Sequence, residues 1–261
     1  MRLNLSTQPI YKDAELYLLK FQQNLTRGLT LIKLYFVNHL RSLGTEVTKK
    51  IADKDKAKSS FISISSLNTL LYIHFRSLAA TLRPLCHELE ESAKRFPDYE
   101  SLCNDCCSTY TTIRSQLLST RTQAELAWLT KENANDILDT VRLCCTFVMG
   151  LCQHEFQLFS KFFSTPMPAL VTFQELLCNH LYHHFRPMIA RESNHVTLSE
   201  ICQTLEAYQV SSTVVAHSPS TPDALAVTEL TTSEDSLLPF YHTIAKVLKD
   251  AQARLVNLER H

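Results

Sequence analysis

Leu18, Phe21, Leu25, Leu29, Ile32, Phe36, Leu40, Leu43, Val47 and Ile51 follow one another at gaps of 3, 4, 4, 3, 4, 4, 3, 4 and 4 residues. Apolar positions three and four apart fall on one side of an α-helix, so this stretch is a single amphipathic helix. The mean period of about 3.67 is that of the eleven-residue repeat, which keeps a helix nearly straight or slightly right-handed. At 1.5 Å per residue the stripe runs about 50 Å, longer than the three or four turns of an ordinary globular helix. A strut is implied. Each Leu or Phe removed from water contributes roughly 1.5–3 kcal/mol, so a stripe this long demands cover from other helices, of this chain or of a partner. Phe21, Leu25, Leu29, Ile32, Phe36 and Leu40 form its candidate partner-facing part.

The same period recurs along the chain. After a polar stretch, Asp53–Ser60, a second helix is expected over about Leu67–Ala93, with Leu71, Phe75, Leu82 and Leu89 on its face and a kink at Pro84, whose ring removes one backbone donor. A third begins near Asp98, shows Leu102, Cys106, Tyr110, Ile113 and Leu117, and frays near Thr120, followed by a short apolar piece, Ala124–Leu129. Asn133 or Asn135 is placed to cap a fourth, Ile137–Phe163, whose apolar face is widened by Leu143, Phe147, Met149 and Leu151. A fifth carries Leu170, Phe173, Leu177, Leu181 and Phe185 up to Pro187. A sixth starts at Thr197, which has the reciprocal capping spacing with Glu200. Residues 211–235 turn to Ser, Thr, Pro and small side chains with no helical period, the composition of a flexible linker. A last stripe, Tyr241, Ile244, Leu248, Ala251, Leu255 and Leu258, reads as the start of a further helix cut off at the end of the chain. No period-two alternation persists anywhere, so no sheet is expected. The fold class is all-α: an elongated bundle of about six or seven helices forming part of a helical rod. Its divisions are a rod segment over 1–210, the linker over 211–235 and the further helix over 236–261.

Composition narrows the function. Twenty-six basic residues balance twenty-six acidic ones, and the Lys49–Lys58 cluster is interleaved with Asp53 and Asp55. Duplex nucleic acid needs an unneutralised basic surface, so it is not an expected ligand. Three glycines in the whole chain exclude glycine-rich phosphate cradles, and no serine has the flanking glycines of a nucleophile elbow. The longest apolar run, Leu143–Cys152, is half what a bilayer crossing requires. Met1–Pro9 lacks the basic start and apolar core of a signal peptide, which points to a reducing, cytosolic compartment. The glycosylation sequons at Asn4 and Asn24 are then chance matches.

Two clusters have the residue types of a metal site. Cys103, Cys106 and Cys107 form one group and Cys144, Cys145, Cys152 and His154 another, but both fall on helical stripes, where free cysteine is a good small core residue. His180 and His184 sit four apart on one helical turn, with His183 between them, a spacing that could hold a metal, but no third ligand is identifiable. Core packing is the expected role of the cysteines and a half-exposed helix flank that of the histidines. Neither a catalytic residue nor a cofactor is expected.

Taken as words, Tyr17–Leu43 (YLLKFQQNLTRGLTLIKLYFVNHLRSL) resembles the third subunit of the conserved oligomeric Golgi complex, a vesicle-tethering family. Tyr72–Glu91 (YIHFRSLAATLRPLCHELEE), Pro97–Leu118, Phe147–Phe163 (FVMGLCQHEFQLFSKFF), His180–Ile189 (HLYHHFRPMI), Leu198–Leu205 and Ala251–His261 are similar to the same family in the same order. The resemblance implies a peripheral protein on the cytosolic face of the Golgi membrane that captures vesicles in retrograde intra-Golgi transport and is not an enzyme. It implies as partners the other subunits of the complex, SNARE fusion proteins and Rab-type GTPases. Family members open with a coiled-coil segment and continue into further helical bundles, so the resemblance places this chain as a middle fragment. The rival readings are a helical scaffold with an embedded zinc or hydrolytic site in the cysteine clusters, and a generic helical adaptor, which would show a fixed repeat of some 30 to 50 residues.

Overall fold

The computed structural model describes residues 13–56, 69–165, 168–215 and 237–259. They form seven α-helices: α1 (Ala14–Lys56), α2 (His74–Ala93), α3 (Pro97–Glu132), α4 (Ile137–Phe162), α5 (Pro168–Arg191), α6 (His195–Val215) and α7 (Leu238–Glu259). A single π-helical turn, Thr69–Ile73, leads into α2. No strand occurs among the described residues, in keeping with the all-α expectation.

The apolar faces meet in two cores set end to end. The first gathers Phe36, Leu40, Val47 and Ile51 of α1, Phe75, Leu82 and Leu89 of α2, the first half of α3, the second half of α4 and the start of α5. The second joins the end of α3 and the first half of α4 to the rest of α5, to Leu198, Ile201 and Leu205 of α6, and to Phe240, Ile244, Val247 and Ala251 of α7. Three helices, α3, α4 and α5, run through both, and Phe147 packs against each. The arrangement is an elongated bundle of seven helices.

Several boundaries differ from expectation for identifiable reasons. α3 does not fray at Thr120 but continues through Ala124–Leu129 to Glu132. Thr122 is fully buried in its path and carries the stripe from Leu118 to Leu126, a polar residue doing the packing of an apolar one. Asp136, not Asn133 or Asn135, caps α4, its carboxylate accepting from the amides of Leu138 and Asp139. Asn133 instead ends α3, donating from its side chain to the Leu129 carbonyl. Leu143 points to solvent and does not widen the face of α4. α5 passes through Pro187 because Ile189, beyond it, is still seated in the second core. α6 starts at His195, with Asn194 accepting from the Val196 amide in the place expected of Thr197. Its helical backbone extends to Val215, past residue 210. α2 is helical on both sides of Pro84. Within the expected 236–261 segment, α7 packs on α5 and α6. Residues 216–235 of the expected linker lie outside the described residues, as do Asn4 and residues 57–60.

α1 runs parallel to α3, since Lys33 pairs with Asp105 at 2.6 Å and Gly44 sits on Ile113. The close approach depends on glycine: a Cβ at residue 44 would lie 2.9 Å from the Ile113 Cγ2, whereas Cβ atoms at Gly28 and Gly150 would meet nothing within 4 Å. Helix propensity alone favours Gly→Ala by up to about 1 kcal/mol. Gly150→Ala is therefore expected to raise the melting temperature. Gly44→Leu inserts bulk where there is no room and is expected to cost about 1–3 kcal/mol, read as a lowered midpoint in urea denaturation.

Candidate interaction surface

The nine cysteines are all buried, and none is joined in a disulfide. Cys86, Cys103, Cys106 and Cys107 belong to the first core and Cys144, Cys145, Cys152, Cys178 and Cys202 to the second, so the two cysteine groups are not brought together. Burial pushes the Cys103 and Cys144 thiols up to about 11 and Cys106 to about 12. At Cys152 the contact with Cys178, Sγ to Sγ 3.6 Å, acts in the same direction as burial. Thiols held protonated are poor nucleophiles and poor metal ligands. His154 is exposed, its ring lying against that of Tyr72 at 5.7 Å. No group of three or more metal-ligating side chains forms among the described residues.

His180 and His184 of α5 face α3 and link the two helices. Gln123 Nε2 donates to His180 Nδ1 at 3.1 Å, which leaves the His180 Nε2–H to donate to the Ser119 hydroxyl at 2.8 Å. Thr130 gives its one hydroxyl proton to the Leu126 carbonyl, so it accepts from His184 Nε2 at 2.6 Å. His183 stays exposed, its ring edge-on to Tyr182. Burial holds both His180 and His184 below the usual histidine value, and at His180 the neighbouring His183 adds to the effect. A histidine whose folded pKa is depressed binds fewer protons folded than unfolded. Its contribution is fully present above the unfolded value of about 6.5 and is lost as pH falls through the lowered folded value. The melting temperature is accordingly expected to drop between about pH 7 and pH 5, and the drop to be smaller in the His180→Asn/His184→Asn variant.

One pair of ionised groups is completely enclosed. Arg114 of α3 donates from Nε to Glu155 Oε2 at 2.9 Å and from Nη2 to Oε1 at 2.5 Å, a two-point contact with α4. Its remaining Nη1 donates to the Leu71 carbonyl in the π-turn at 2.7 Å, and its guanidinium lies 5.1 Å and 4.6 Å from the Tyr72 and Phe75 rings. Burial opposes the charge on Arg114, but Glu155 overcomes it and the guanidinium is held above its ordinary value. Burial and the Glu155 charge together push the Tyr72 and Tyr110 hydroxyls up. Both side chains are 0% exposed, so the pair faces no solvent-borne substrate and serves to lock three elements together. Sequence patterning missed both residues, because a buried charge carries no periodic signal. Replacing either partner alone with Met leaves an uncompensated ion and is expected to cost about 3–5 kcal/mol in urea denaturation, while the double replacement is expected to recover at least half of that.

The expected partner-facing stripe divides along α1. Phe36 and Leu40 are 0% exposed, enclosed by the chain's own first core and unavailable to a partner in this fold. Leu29 and Ile32 are half-buried against the same core. Phe21 and Leu25 are 66% and 41% exposed. The cause is the parallel register: α3 begins beside Leu25, where Leu25 and Asp98 line one open furrow, so the turns of α1 before it have no α3 alongside. Leu16, Tyr17, Leu18, Leu19, Leu31, Leu34 and Tyr35 are exposed as well. Farther down the α1–α3 boundary a second open furrow, about 590 Å³, is lined by Arg41, Thr45, Thr48, Ser108, Thr112 and Ile113. The hydroxyls of Thr45, Thr48 and Thr112 are given to carbonyls of their own helices, and no histidine faces them there. No described helix is long and apolar enough to cross a membrane.

A two-core helical bundle whose longest helix projects bare apolar side chains past its neighbours has the build of a helical scaffold. The family described as "Conserved oligomeric Golgi complex subunit 3, C-terminal" matches residues 68–260, and its N-terminal counterpart matches residues 4–42. The chain belongs to the conserved oligomeric Golgi complex subunit 3 family. It is similar to the human subunit 3, 36% identical over 202 residues that make up 77% of this chain and 24% of that protein. The mouse subunit is 33% identical over 252 residues, 97% of this chain and 28% of its own length. The Drosophila melanogaster subunit is 26% identical over 249 residues, 95% and 26% respectively. The chain thus spans about a quarter of the length of the curated relatives it matches. No solved structure matches it.

Proposed function

We propose that this chain serves as a segment of a Golgi vesicle tether, acting in retrograde intra-Golgi transport by protein–protein contact and without catalysis. The observation that carries the reading is the projecting first part of α1, where Phe21 and Leu25 stand exposed on a bundle whose family is that of a Golgi complex subunit. Each such side chain covered on binding contributes roughly 1.5–3 kcal/mol, enough for a few of them to hold a partner helix laid along the arm. The partners are the other subunits of the complex, with SNARE fusion proteins and Rab-type GTPases engaged by the assembled tether. Through them the chain associates peripherally with the cytosolic face of the Golgi membrane.

The length and stiffness of the bundle set reach in this mechanism, and exposed helix faces set partner choice. Tagged chain expressed in cells is expected to co-precipitate the other subunits of the complex. Phe21→Asp with Leu25→Asp is expected to reduce that recovery several-fold without lowering the melting temperature, because neither residue belongs to a core. Absence of any other subunit from the precipitate of the unaltered chain would overturn the reading.

A further inference from the structure

α1 carries a second apolar seam on a different period from the stripe that enters its own core. Tyr17, Phe21, Asn24, Gly28, Leu31 and Tyr35 follow at gaps of 4, 3, 4, 3 and 4, the seven-residue repeat of a coiled coil. The four large apolar members are all open, Leu31 at 61% and Phe21 at 66%. The core stripe repeats every 3.67 residues and the seam every 3.5, so the two share Phe21 but diverge along the helix. The seam therefore faces away from α2 and α3 over the length where α1 projects.

The flanks of the seam specify what covers it. Lys20 and Arg27 immediately precede Phe21 and Gly28, the positions from which coiled-coil helices pair charges with a partner. On the opposite flank stand Leu18, Leu25 and Ile32, which lead into the chain's own apolar stripe. Residues 16–45 contain Lys20, Arg27, Lys33 and Arg41 and no acidic residue, although the whole chain is neutral. Gly28 leaves a hole with nothing within 4 Å of where its Cβ would be, a receptacle for a large side chain. Asn24 supplies the one polar side chain of the seam, and a partner that covers it must offer it a hydrogen bond.

A second copy of the chain does not suit this surface. In an antiparallel pair Lys20 and Arg27 would face their own counterparts, and in a parallel pair they would face Leu25 and Ile32. The geometry points to a heterotypic partner: an amphipathic helix with a seven-residue apolar repeat and Glu or Asp along one flank, docked on Tyr17–Tyr35. This rests on the tethering reading only for the identity of the protein that supplies the helix.

The test uses the purified full chain and two labelled peptides of about four heptads, with the same Leu/Ile seam and either Glu or Lys on the flanks, in fluorescence anisotropy. The Glu peptide is expected to bind about tenfold or more tightly than the Lys peptide at low salt, an advantage that shrinks as salt is added. Lys20→Glu with Arg27→Glu is expected to reverse the preference, and Leu31→Asp to abolish binding of both peptides with the melting temperature unchanged. Equal affinities, or a Glu preference that survives the charge reversal, would sink the proposal. Sedimentation showing a dimer that excludes the peptides would assign the seam to a second copy and overturn it. So would binding to phosphatidylserine vesicles without discrimination between the peptides, which would assign it to a lipid surface. If the charge reversal leaves peptide preference unmoved while the chain still co-precipitates the other subunits, the seam fails and the tether reading stands. The converse result removes the tether and leaves the seam.

Discussion

The contact between Arg114 and Glu155 is the constraint on which the first core is organised. Both side chains are fully buried, so their charges tolerate only one arrangement, the one in which the guanidinium fork meets both carboxylate oxygens and its last donor reaches Leu71. That geometry sets the position of α3 along α4 and pins the π-turn that opens α2. Apolar packing alone would accept neighbouring registers at modest loss; a buried ion pair does not. Around it the aromatic side chains Tyr110, Phe159, Phe162 and Phe163 close the space, with ring centroids 5.0–6.2 Å from Tyr110.

The rest of the bundle follows from helices that are longer than either core. α3, α4 and α5 each enter both, and α1 is secured to the first by a glycine contact and one surface ion pair. Exposed ion pairs such as Lys33–Asp105 contribute little, so it is the apolar half of the α1 stripe, from Phe36 onward, that holds the helix down. The unheld half is what remains for other molecules. In the proposed tethering reading, partners meet the chain where its own packing stops rather than in a cavity.

Apolar periodicity made the helices legible in the sequence, and it did so best where the stripe was unbroken. Leu71, Phe75, Leu82, Leu177 and Leu181 were recognisable as core from spacing alone and are buried. The misjudged places share one cause: a polar residue with an apolar duty, or a polar contact between distant residues. Thr122 is a buried link in α3, Glu155 and Gln174 are enclosed among apolar neighbours, and Ser119, Gln123 and Thr130 find their partners on a helix some sixty residues away, where a local pattern gives no hint of them. Prolines misled in α5 because Ile189 anchors the residues beyond Pro187. The stripe Phe21–Leu40 was visible as apolar, but which end of it the chain would cover depended on where α3 begins, a tertiary fact.

Because three helices cross from one core to the other without interruption, and Phe147 is shared between them, neither end can tilt without disturbing the other. A tug delivered to the exposed first turns of α1 would pass by side-chain packing into the first core, along the unbroken helices α3, α4 and α5, and again by packing into α7. The molecule is built as a girder rather than a hinge, and slack in any larger assembly would have to reside at its joints.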